Sequence, residues 1–478
     1  MEPKNHTVEK IGGTSMSRAQ DLLGSLFIGD RVGADLYNRI FVVSAFGGIT
    51  DMLLEHKKSG EPGVYDLYFN ADSEHEWLAS LSKTAEKMRE IHSDVLDNEA
   101  DIQAANEFVL ERVEGVRNCL IDLQRLCSYG HFRLDAQRLT IRELLAGLGE
   151  AHSAFVTTLL LQRAGVNARF IDLSGWRDET EHSLTERIAQ GLGDVDLATE
   201  MPIVTGYAQC TEGLMREFDR GYSEVTFARI AAWTGASEAI IHKEFHLSSA
   251  DPKLVGEDAV RKLGHTNYDV ADQLSNLGME AIHPKAAKTL RQAEVPLRVT
   301  NAFDPGDPGT LIDDQPAEEA GVEIVTGLKV VALELFEQDM VGVKGYDSAI
   351  LDALKRHNVW IVSKTSNANT ITHYVQASLK TVRRVARDLE DVFPSAKVSA
   401  RTLSVVSPIG RNLHGLKVLG RGLTALEDAG IDVVAAHQTP RGVDVQFVIG
   451  AKDMEPGITA LHRALIEGGV AQFPKKAA

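Results

Sequence analysis

Residues 9–16 of the chain read Glu9-Lys10-Ile11-Gly12-Gly13-Thr14-Ser15-Met16, a short strand that ends in a lysine and a glycine pair and continues into a helix. Two glycines let backbone N–H groups approach an anion without an intervening Cβ, and the helix adds the positive end of its dipole. Lys10 adds a full positive charge. In a Walker A loop the lysine follows the glycines, whereas here it precedes them. The stretch therefore predicts a phosphate site of another lineage, at the carboxyl end of a first strand.

The composition limits the class of protein. The 478 residues exceed what one hydrophobic core usually serves, so two or three domains are expected. The 50 basic and 68 acidic side chains give a net charge of −18, which argues against nucleic-acid or anionic-membrane partners. Cys119, Cys127 and Cys210 lack metal-type spacing, and we expect neither a signal peptide nor an apolar run of about 18 residues. The prediction is a cytoplasmic protein.

Strand and helix patterns alternate through the first two thirds of the chain, which is typical of a mainly parallel α/β sheet. A long helical region separates the second strand from the third, at about 74–164, with an interruption near 127–134. The predicted strands are 7–11, 39–44, 168–172, 202–205, 239–242 and 297–300.

A polar, acidic stretch at 313–319 reads as a linker, and the pattern beyond it changes. Two strand-helix-strand-strand-helix units follow each other at a spacing of roughly 70 residues. The first begins with the strand 330–336 and the second with the strand 402–406. This order predicts paired ferredoxin-like α+β modules, which commonly sense small ligands.

Three further segments could carry chemistry. They are 42–50, a buried-type strand that ends in Gly47-Gly48-Ile49-Thr50; 147–153, with Glu150 in an apolar helix; and 217–224, dense in charge. Taken singly, each has an ordinary alternative as a turn, a solvated glutamate or a surface loop. Their order along one α/β sheet is the stronger signal.

Together the four segments resemble the aspartate kinase branch of the amino acid kinase family. The family's opening Lys-Phe-Gly-Gly-Thr-Ser-Val is matched by residues 10–16, its glycine-hydrophobic-threonine by Gly48-Ile49-Thr50 and its Gly-Glu by Gly149-Glu150. Its Gly-Arg-Gly-Gly-Ser-Asp is matched only in part by residues 219–224. The resemblance covers essentially the whole chain, and residues 9–16, 242–252 and 278–284 are similar to the type associated with ectoine synthesis.

The resemblance implies a fold and an activity. The fold would be an amino-acid-kinase-like, parallel-rich sheet sandwiched by helices over 1–315, followed by ACT-like modules over 322–395 and 396–478. The activity would be transfer of the ATP γ-phosphoryl group to the β-carboxylate of L-aspartate, giving 4-phospho-L-aspartate as the first step of the aspartate pathway. ATP and Mg²⁺ would be the cofactors, with no metal ligand from protein side chains.

The resemblance also assigns site residues. Catalysis would fall to Lys10, Arg220 and Glu224, and substrate binding to Ser44, Thr50, Glu150, Arg220 and Ser223. The ATP-binding set would be Lys10, Gly12, Gly13, Thr14, Ser15, His242, Lys243, Ser248, Lys253 and Glu280.

The chain departs from the family pattern at four of these positions. Glu224 is one methylene longer than the usual aspartate, and His242-Lys243 stand where a Thr-Asp pair is usual. Glu280 replaces a customary nucleotide-contacting lysine. Because Glu280 cannot attract phosphate, we hypothesise that Lys243 supplies the missing positive charge.

In the paired modules, related enzymes bind an amino-acid effector, often lysine or threonine. The corresponding residues here are Met340, Gly345, Thr365, Ser366 and Asn367, with Asn367 where glutamate is usual. The alternative is that these modules only form a homodimer or a higher homo-oligomer. For the whole chain, the alternatives are a kinase of another acidic amino acid, of the glutamate type, and a catalytically weak amino-acid sensor.

Overall fold

The computed structural model describes residues 5–56, 59–71, 73–217, 221–279, 281–315 and 320–468. The chain divides into two compact units, one made of Met1–His246 with Ile282–Asp313 and the other of Leu247–Ala281 with Asp314–Ala478. The first unit is therefore not continuous in sequence. The segment Leu247–Ala281, which lies within the expected 1–315 domain, groups with the second unit.

The strands alternate with helices in the first unit and pair antiparallel in the second. The strands are β1 (Thr7–Ile11), β2 (Arg39–Val43), β3 (Ala168–Ile171), β4 (Met201–Thr205), β5 (Glu238–Lys243), β6 (His265–Asn267), β7 (Leu297–Asn301), β8 (Thr310–Asp313), β9 (Gly321–Phe336), β10 (Trp360–Ser366), β11 (Thr370–Gln376), β12 (Lys397–Arg411), β13 (Val433–Gln438) and β14 (Val445–Gly450). The helices are α1 (Gly13–Met16), α2 (Ala19–Leu22), α3 (Ile49–Leu53), α4 (Val64–Asn70), α5 (Glu74–Val95), α6 (Glu99–Ser128), α7 (Arg138–Arg163), α8 (Leu184–Leu192), α9 (Leu214–Glu217), α10 (Tyr222–Thr234), α11 (Pro252–Val255), α12 (Tyr268–Asn276), α13 (Pro284–Gln292), α14 (Tyr346–Arg356), α15 (Leu379–Val392), α16 (Val418–Asp428) and α17 (Met454–His462).

The sheet of the first unit has the strand order β3-β4-β2-β1-β5-β7-β8. Its neighbours are parallel except for β7 and β8. The central strands β2 and β4 are buried at every residue, which requires cover on both faces because successive side chains point to opposite sides. The predicted parallel-rich sheet between helices is confirmed, and its six predicted strands each lie within one residue of the observed ends.

The long helical region consists of α5, α6 and α7 rather than one interrupted helix. The helix α5 ends at Val95, where Leu96 has an extended backbone, and Asn98 starts α6 by accepting hydrogen bonds from the backbone N–H groups of Ala100 and Asp101. The stretch Leu134–Arg163 is long and apolar enough to cross a membrane, contrary to the expectation from sequence. Because 83% of its apolar window is buried inside the fold, it is explained as a core helix.

The sheet of the second unit has the order β10-β11-β9-β12-β14-β13. Its two central strands are long, β9 with 16 residues and β12 with 15, and they pair antiparallel along nearly their whole length. One half of this ribbon pairs with β11 and the other half with β14. Each ferredoxin-like module therefore contains part of β9 and part of β12, although these strands belong to different halves of the sequence repeat. The two modules are interleaved in sequence, whereas the expectation was two consecutive modules that meet between residues 395 and 396.

Candidate active site

The glycine pair forms a tight turn between β1 and α1. Gly12 caps α1, and a Cβ on Gly13 would lie 2.7 Å from the carbonyl oxygen of Ala45, a distance that only glycine tolerates. Thr14 is exposed at this turn. The hydroxyl of the buried Ser15 donates to Glu244 Oε1 at 2.6 Å, so the Ser15 side chain is held by protein rather than offered to a ligand.

Lys10 forms an ion pair with the lengthened acidic residue. The Lys10 Nζ atom lies 3.5 Å from Glu224 Oε1, and Glu224 Oε2 accepts a hydrogen bond of 2.5 Å from the backbone N–H of His283. Burial acts to raise the pKa of Glu224, but the charges of Lys10 and Lys243 and the His283 N–H outweigh it and hold the pKa below its ordinary value. The longer side chain thus reaches Lys10 and a backbone donor together.

Glu150 is a buried carboxylate with an unsatisfied oxygen. Its Oε1 accepts a hydrogen bond of 2.8 Å from the Ser223 hydroxyl, while Oε2 has no hydrogen-bond partner among the described residues. Burial raises the pKa of Glu150 to about 8, against the opposing influence of Ser223, Lys10 and nearby backbone N–H groups. Such a group is suited to receive a cation, which would supply both the missing partner and the missing charge.

The space beside Glu150 depends on a glycine. A Cβ on Gly206 would lie 2.5 Å from Glu150 Oε2 and 2.8 Å from the Ser223 Cβ. Gly206 directly follows β4, at the carboxyl edge of the sheet where parallel α/β proteins bind ligands. Sequence reasoning missed Gly206, because an isolated glycine after a strand has no distinctive spacing.

Ser44 and Thr50 lie on the loop that follows β2. The backbone N–H of Ser44 donates to the carbonyl of Ile11, which aligns this loop with the end of β1. Gly48 has φ +84°, a left-handed conformation that favours glycine, and it caps α3, which carries Thr50. Both Ser44 and Thr50 are partly exposed.

Parallel register separates the side chains of β1 and β5 into two sets. Lys10 pairs with Ile241 and Ile11 with His242. Because paired residues of parallel strands share a face and alternate residues change face, Lys10 and Lys243 lie on one side of the sheet, and Glu9 and His242 on the other. Lys243 is also one of the charges that lower the pKa of Glu224.

The assignment of His242 to ATP is not supported by its side-chain contacts. The His242 Nε2 atom lies 2.8 Å from Glu9 Oε2, and the Nδ1 atom lies 2.7 Å from the Thr300 hydroxyl. Arg39 completes the cluster with hydrogen bonds of 2.7 and 2.9 Å to the two oxygens of Glu9. Both ring nitrogens are within hydrogen-bond distance of a partner and the ring is buried, so the His242 side chain contributes to the stability of the sheet, and its assignment to ATP stays a prediction.

The remaining predicted nucleotide residues belong to the second unit or lie outside the described residues. Ser248 and Lys253 belong to the second unit, where the buried Ser248 hydroxyl donates to the carbonyl of Ala250 and Lys253 is exposed. Arg220, assigned to the substrate α-carboxylate, and Glu280 lie outside the described residues.

The predicted effector residues gather near the start of α14 and the end of β10. Met340 is buried, Gly345 caps α14 with φ +106°, and Thr365 and Ser366 end β10. The side-chain oxygen of Asn367 accepts hydrogen bonds of 3.1 and 2.9 Å from the backbone N–H groups that follow it. Asn367 therefore closes the β10–β11 turn.

A cluster absent from the sequence predictions lies in the first unit. His246, Asp304 and Asp307 place one potential ligand atom each within 4.8 Å of one another. The His246 Nε2 atom is already paired with Asp304 Oδ2 at 2.9 Å. The hydrogen bond between His246 and Asp304 accounts for their closeness, and the grouping stems from two loops whose proximity only the sheet order reveals.

The chain is similar to known proteins in family, sequence and fold. Residues 5–301 match the family model of the amino acid kinase family. The chain is 52% identical over 464 residues to the aspartate kinase Ask_Ect of Stutzerimonas stutzeri (strain A1501), covering 97% of this chain and 98% of that protein. Among solved structures, E. coli aspartokinase III in complex with lysine and aspartate (T-state) matches with a TM-score of 0.73 at 18% identity, over 97% of this chain and 100% of that one. The same enzyme with aspartate and ADP (R-state) gives 0.71 at 17% identity, over 96% and 100%.

Proposed function

Because the chain belongs to the amino acid kinase family, in its aspartate kinase branch, we propose that it transfers the γ-phosphoryl group of ATP to the β-carboxylate of L-aspartate. The products are 4-phospho-L-aspartate and ADP. The similarity to a protein named Ask_Ect supports a role in supplying ectoine synthesis.

The observation that carries this proposal is the state of Glu150. A buried carboxylate with a pKa raised to about 8 and an unpaired oxygen favours an ammonium ligand. The α-ammonium group of an amino acid meets that need, and the hydroxyls of Ser44, Thr50 and Ser223 would bind its other polar groups. Arg220 is proposed to pair with the substrate α-carboxylate, because a guanidinium matches a carboxylate in a two-pronged geometry.

The chemistry needs charge neutralisation rather than a general base. The aspartate side chain, with a pKa near ~4, is already ionised at neutral pH, so the obstacle is repulsion between two anions. Lys10 lies on the strand that ends at the glycine turn, and we propose that it neutralises the phosphate while Glu224 holds its position. A β-carboxylate oxygen bonds to the γ-phosphorus as the bond from that phosphorus to the bridging oxygen breaks, and ADP takes the electron pair.

Mg²⁺ fits this site as a companion of the ATP phosphates. The nearby carboxylates already have protein partners. Glu224 pairs with Lys10 and accepts a hydrogen bond from the His283 N–H, and Glu244 accepts a hydrogen bond from Ser15. When bound, the ion would neutralise phosphate charge. Gly12, Gly13 and Lys243 are the protein groups proposed to contact the nucleotide alongside Lys10, with Ser248 and Lys253 assigned by resemblance.

The second unit is proposed to regulate the first. Its interleaved modules would bind an amino-acid effector at Met340, Gly345, Thr365 and Ser366 and form a homodimer through their sheet. The related E. coli enzyme is described in complex with lysine. The turn-closing role of Asn367 favours an effector that needs no acidic partner there.

The direct test is a hydroxylamine trap. Purified chain with Mg·ATP and either aspartate or glutamate is incubated with hydroxylamine, which converts an acyl phosphate to a coloured hydroxamate. Signal with aspartate, and its loss in Lys10→Ala, is the expected outcome. Signal with glutamate alone selects a glutamate-type kinase, whereas no signal with either, but binding of an amino acid, selects the sensor alternative.

A further inference from the structure

Two fully buried histidines of the first unit form a hydrogen-bonded pair that the proposed chemistry does not use. His92 lies on α5 and His152 on α7, and their Nε2 atoms are 2.8 Å apart. The His92 Nδ1 atom lies 2.8 Å from the side-chain oxygen of Asn106 on α6. Because the three residues come from three helices, these contacts join α5, α6 and α7 in the interior of the unit.

The direction of these hydrogen bonds follows from the positions of the protons. The amide oxygen of Asn106 can only accept, so His92 Nδ1 carries a proton and the Nε2 atom of a neutral His92 accepts. His152 therefore donates through Nε2, and its Nδ1 atom is a lone pair with no partner among the described residues. Burial lowers the pKa of His92, and Arg89 lowers it further against the Asn106 hydrogen bond. Burial and the neighbouring His92 hold the pKa of His152 well below its ordinary value, so both rings are neutral at pH 7.

His152 also packs against residues 44–48, which connect β2 to α3 and are called here the β2–α3 loop. The Phe46 ring is buried, and its centroid lies 5.3 Å from that of the His152 ring. Nearly one turn earlier on α7, a Cβ on Gly149 would lie 3.2 Å from the Ala45 Cβ. Gly149 and His152 are three residues apart, so they share the face of α7 that contacts this loop.

The same loop lies beside the carboxylate of Glu150. Burial raises the pKa of Glu150 to about 8, and Lys10 and the backbone N–H of Ala45 are among the groups that oppose this rise. Ala45 directly precedes Phe46, so a shift of the Phe46 ring also moves the Ala45 N–H. The loop is therefore the link between His152 and Glu150, whose side chains point to different faces of α7.

We propose that His152 is a positioning residue that holds the β2–α3 loop against Glu150 in the conformation that binds aspartate. The proposal rests on the proposed function, because it takes Glu150 as the receptor of the substrate ammonium group. Loss of the His152 donor leaves the buried His92 Nε2 atom without a partner, and the rearrangement that satisfies this atom frees Phe46 to move. The carboxylate then loses the support of the loop N–H, and aspartate binds more weakly.

The experiment compares His152→Leu, His152→Gln and Phe46→Leu with a matched control, Tyr68→Phe. Tyr68 is also buried in the first unit, and its hydroxyl donates a hydrogen bond of 2.8 Å to the carbonyl of Leu120. The control therefore removes a buried hydrogen bond between α4 and α6, away from the β2–α3 loop. The Kd of aspartate is measured by calorimetry between pH 6 and 9, and the KM values for aspartate and ATP by the hydroxamate assay. Thermal unfolding reports stability separately.

The expected result for His152→Leu is a rise of about ten-fold in the aspartate Kd and KM at pH 7, with the ATP KM within about two-fold. The midpoint of the pH dependence of aspartate affinity should move upward by about one pH unit, as for loss of one hydrogen bond to a carboxylate. Glutamine, whose amide N–H can donate in place of Nε2, restores part of the affinity. Phe46→Leu, which keeps the histidine pair and loosens its contact with the loop, shows the same shift, and it decides the question if His152→Leu does not fold.

Three results would overturn the inference: an unchanged aspartate Kd and pH midpoint in folded His152→Leu, equal rises in the aspartate and ATP KM values, or the same pH shift in Tyr68→Phe. Absence of any aspartate binding by the wild-type chain would overturn it as well. Aspartate binding by a wild-type chain that forms no hydroxamate counts against the proposed activity alone, since calorimetry still measures the positioning role.

Discussion

Aspartate affinity should depend on pH through Glu150. The free site has a carboxyl pKa of about 8, and the substrate ammonium is expected to bind only the ionised form. At pH 7 about one molecule in eleven is ionised, and at pH 6 about one in a hundred, so apparent affinity should fall by roughly those factors below its high-pH plateau. Binding near pH 7 should also release close to one proton, because the ammonium lowers the Glu150 pKa.

The assay is a series of KM measurements for aspartate at saturating Mg·ATP between pH 6 and 8.5, with calorimetry in two buffers of different ionisation enthalpy to count protons. Glu150→Gln is the perturbation. This substitution keeps the shape of the side chain and removes its titration. The aspartate KM of the variant should therefore be at least about a hundred-fold above the high-pH plateau of the wild-type KM, and it should not change with pH over this range. The ATP KM should be little changed in both proteins.

The same pKa makes a prediction for stability. Because the folded-state pKa lies above the ordinary value of 4.5, the contribution of Glu150 to stability is complete below pH 4.5 and is lost as pH rises through about 8. The loss amounts to on the order of 4 kcal/mol at ~1.4 kcal/mol per pKa unit. Substrate-free Glu150→Gln should therefore unfold at a higher temperature than wild type at pH 8. A wild-type KM that is flat from pH 6 to 8.5, with no proton release, refutes the reasoning.

Three further predictions concern neighbouring residues. Gly206→Ala should lower kcat/KM for aspartate at least ten-fold, because the new Cβ would lie 2.5 Å from a carboxylate oxygen, whereas Gly264→Ala, with open space around it, should leave kinetics unchanged. Lys243→Ala should raise the ATP KM several-fold, and an unchanged ATP KM would remove its proposed positive role. His242→Leu removes a hydrogen-bond partner of Glu9, so it should lower the free energy of unfolding, measured in denaturant, by about 1–3 kcal/mol. The ATP KM of this variant should stay within about two-fold of wild type, and a large rise would support the assignment of His242 to the nucleotide site.

The sequence predicted most of the first unit because its strands are short, apolar and separated by clear turns. The Lys10-to-Met16 order, Gly48-Ile49-Thr50 and Gly149-Glu150 each fell at the carboxyl end of a strand or on a helix facing it. Motif order along the chain was informative, since parallel strands bring those ends to one edge of the sheet.

Long-range arrangement limited the prediction of the second unit. The repeats suggested consecutive modules. However, β9 and β12 extend far beyond the predicted strands 330–336 and 402–406, and they pair with each other across the boundary between the repeats. Residues such as Glu323 and Lys397, at the ends of these strands, are too polar to read as strand from periodicity. Pairing across the ribbon supplies their backbone hydrogen bonds, and that partner lies about 80 residues away in sequence, beyond any local pattern.

The contacts of His242 show how the two faces of one strand can differ in role. Residues 242 and 243 are neighbours in sequence and look like one functional pair, yet strand alternation sends their side chains to opposite faces. On β1 the same alternation separates Glu9 from Lys10. The buried cluster of Glu9, Arg39 and His242 fixes β1 on one face, and by fixing it determines where Lys10 stands on the other. Because the proposed role of Lys10 depends on its 3.5 Å pair with Glu224, a small shift of β1 would change that pairing. Substitutions at Glu9 should therefore lower kcat as well as stability, although Glu9 is on the face of the sheet opposite to the site.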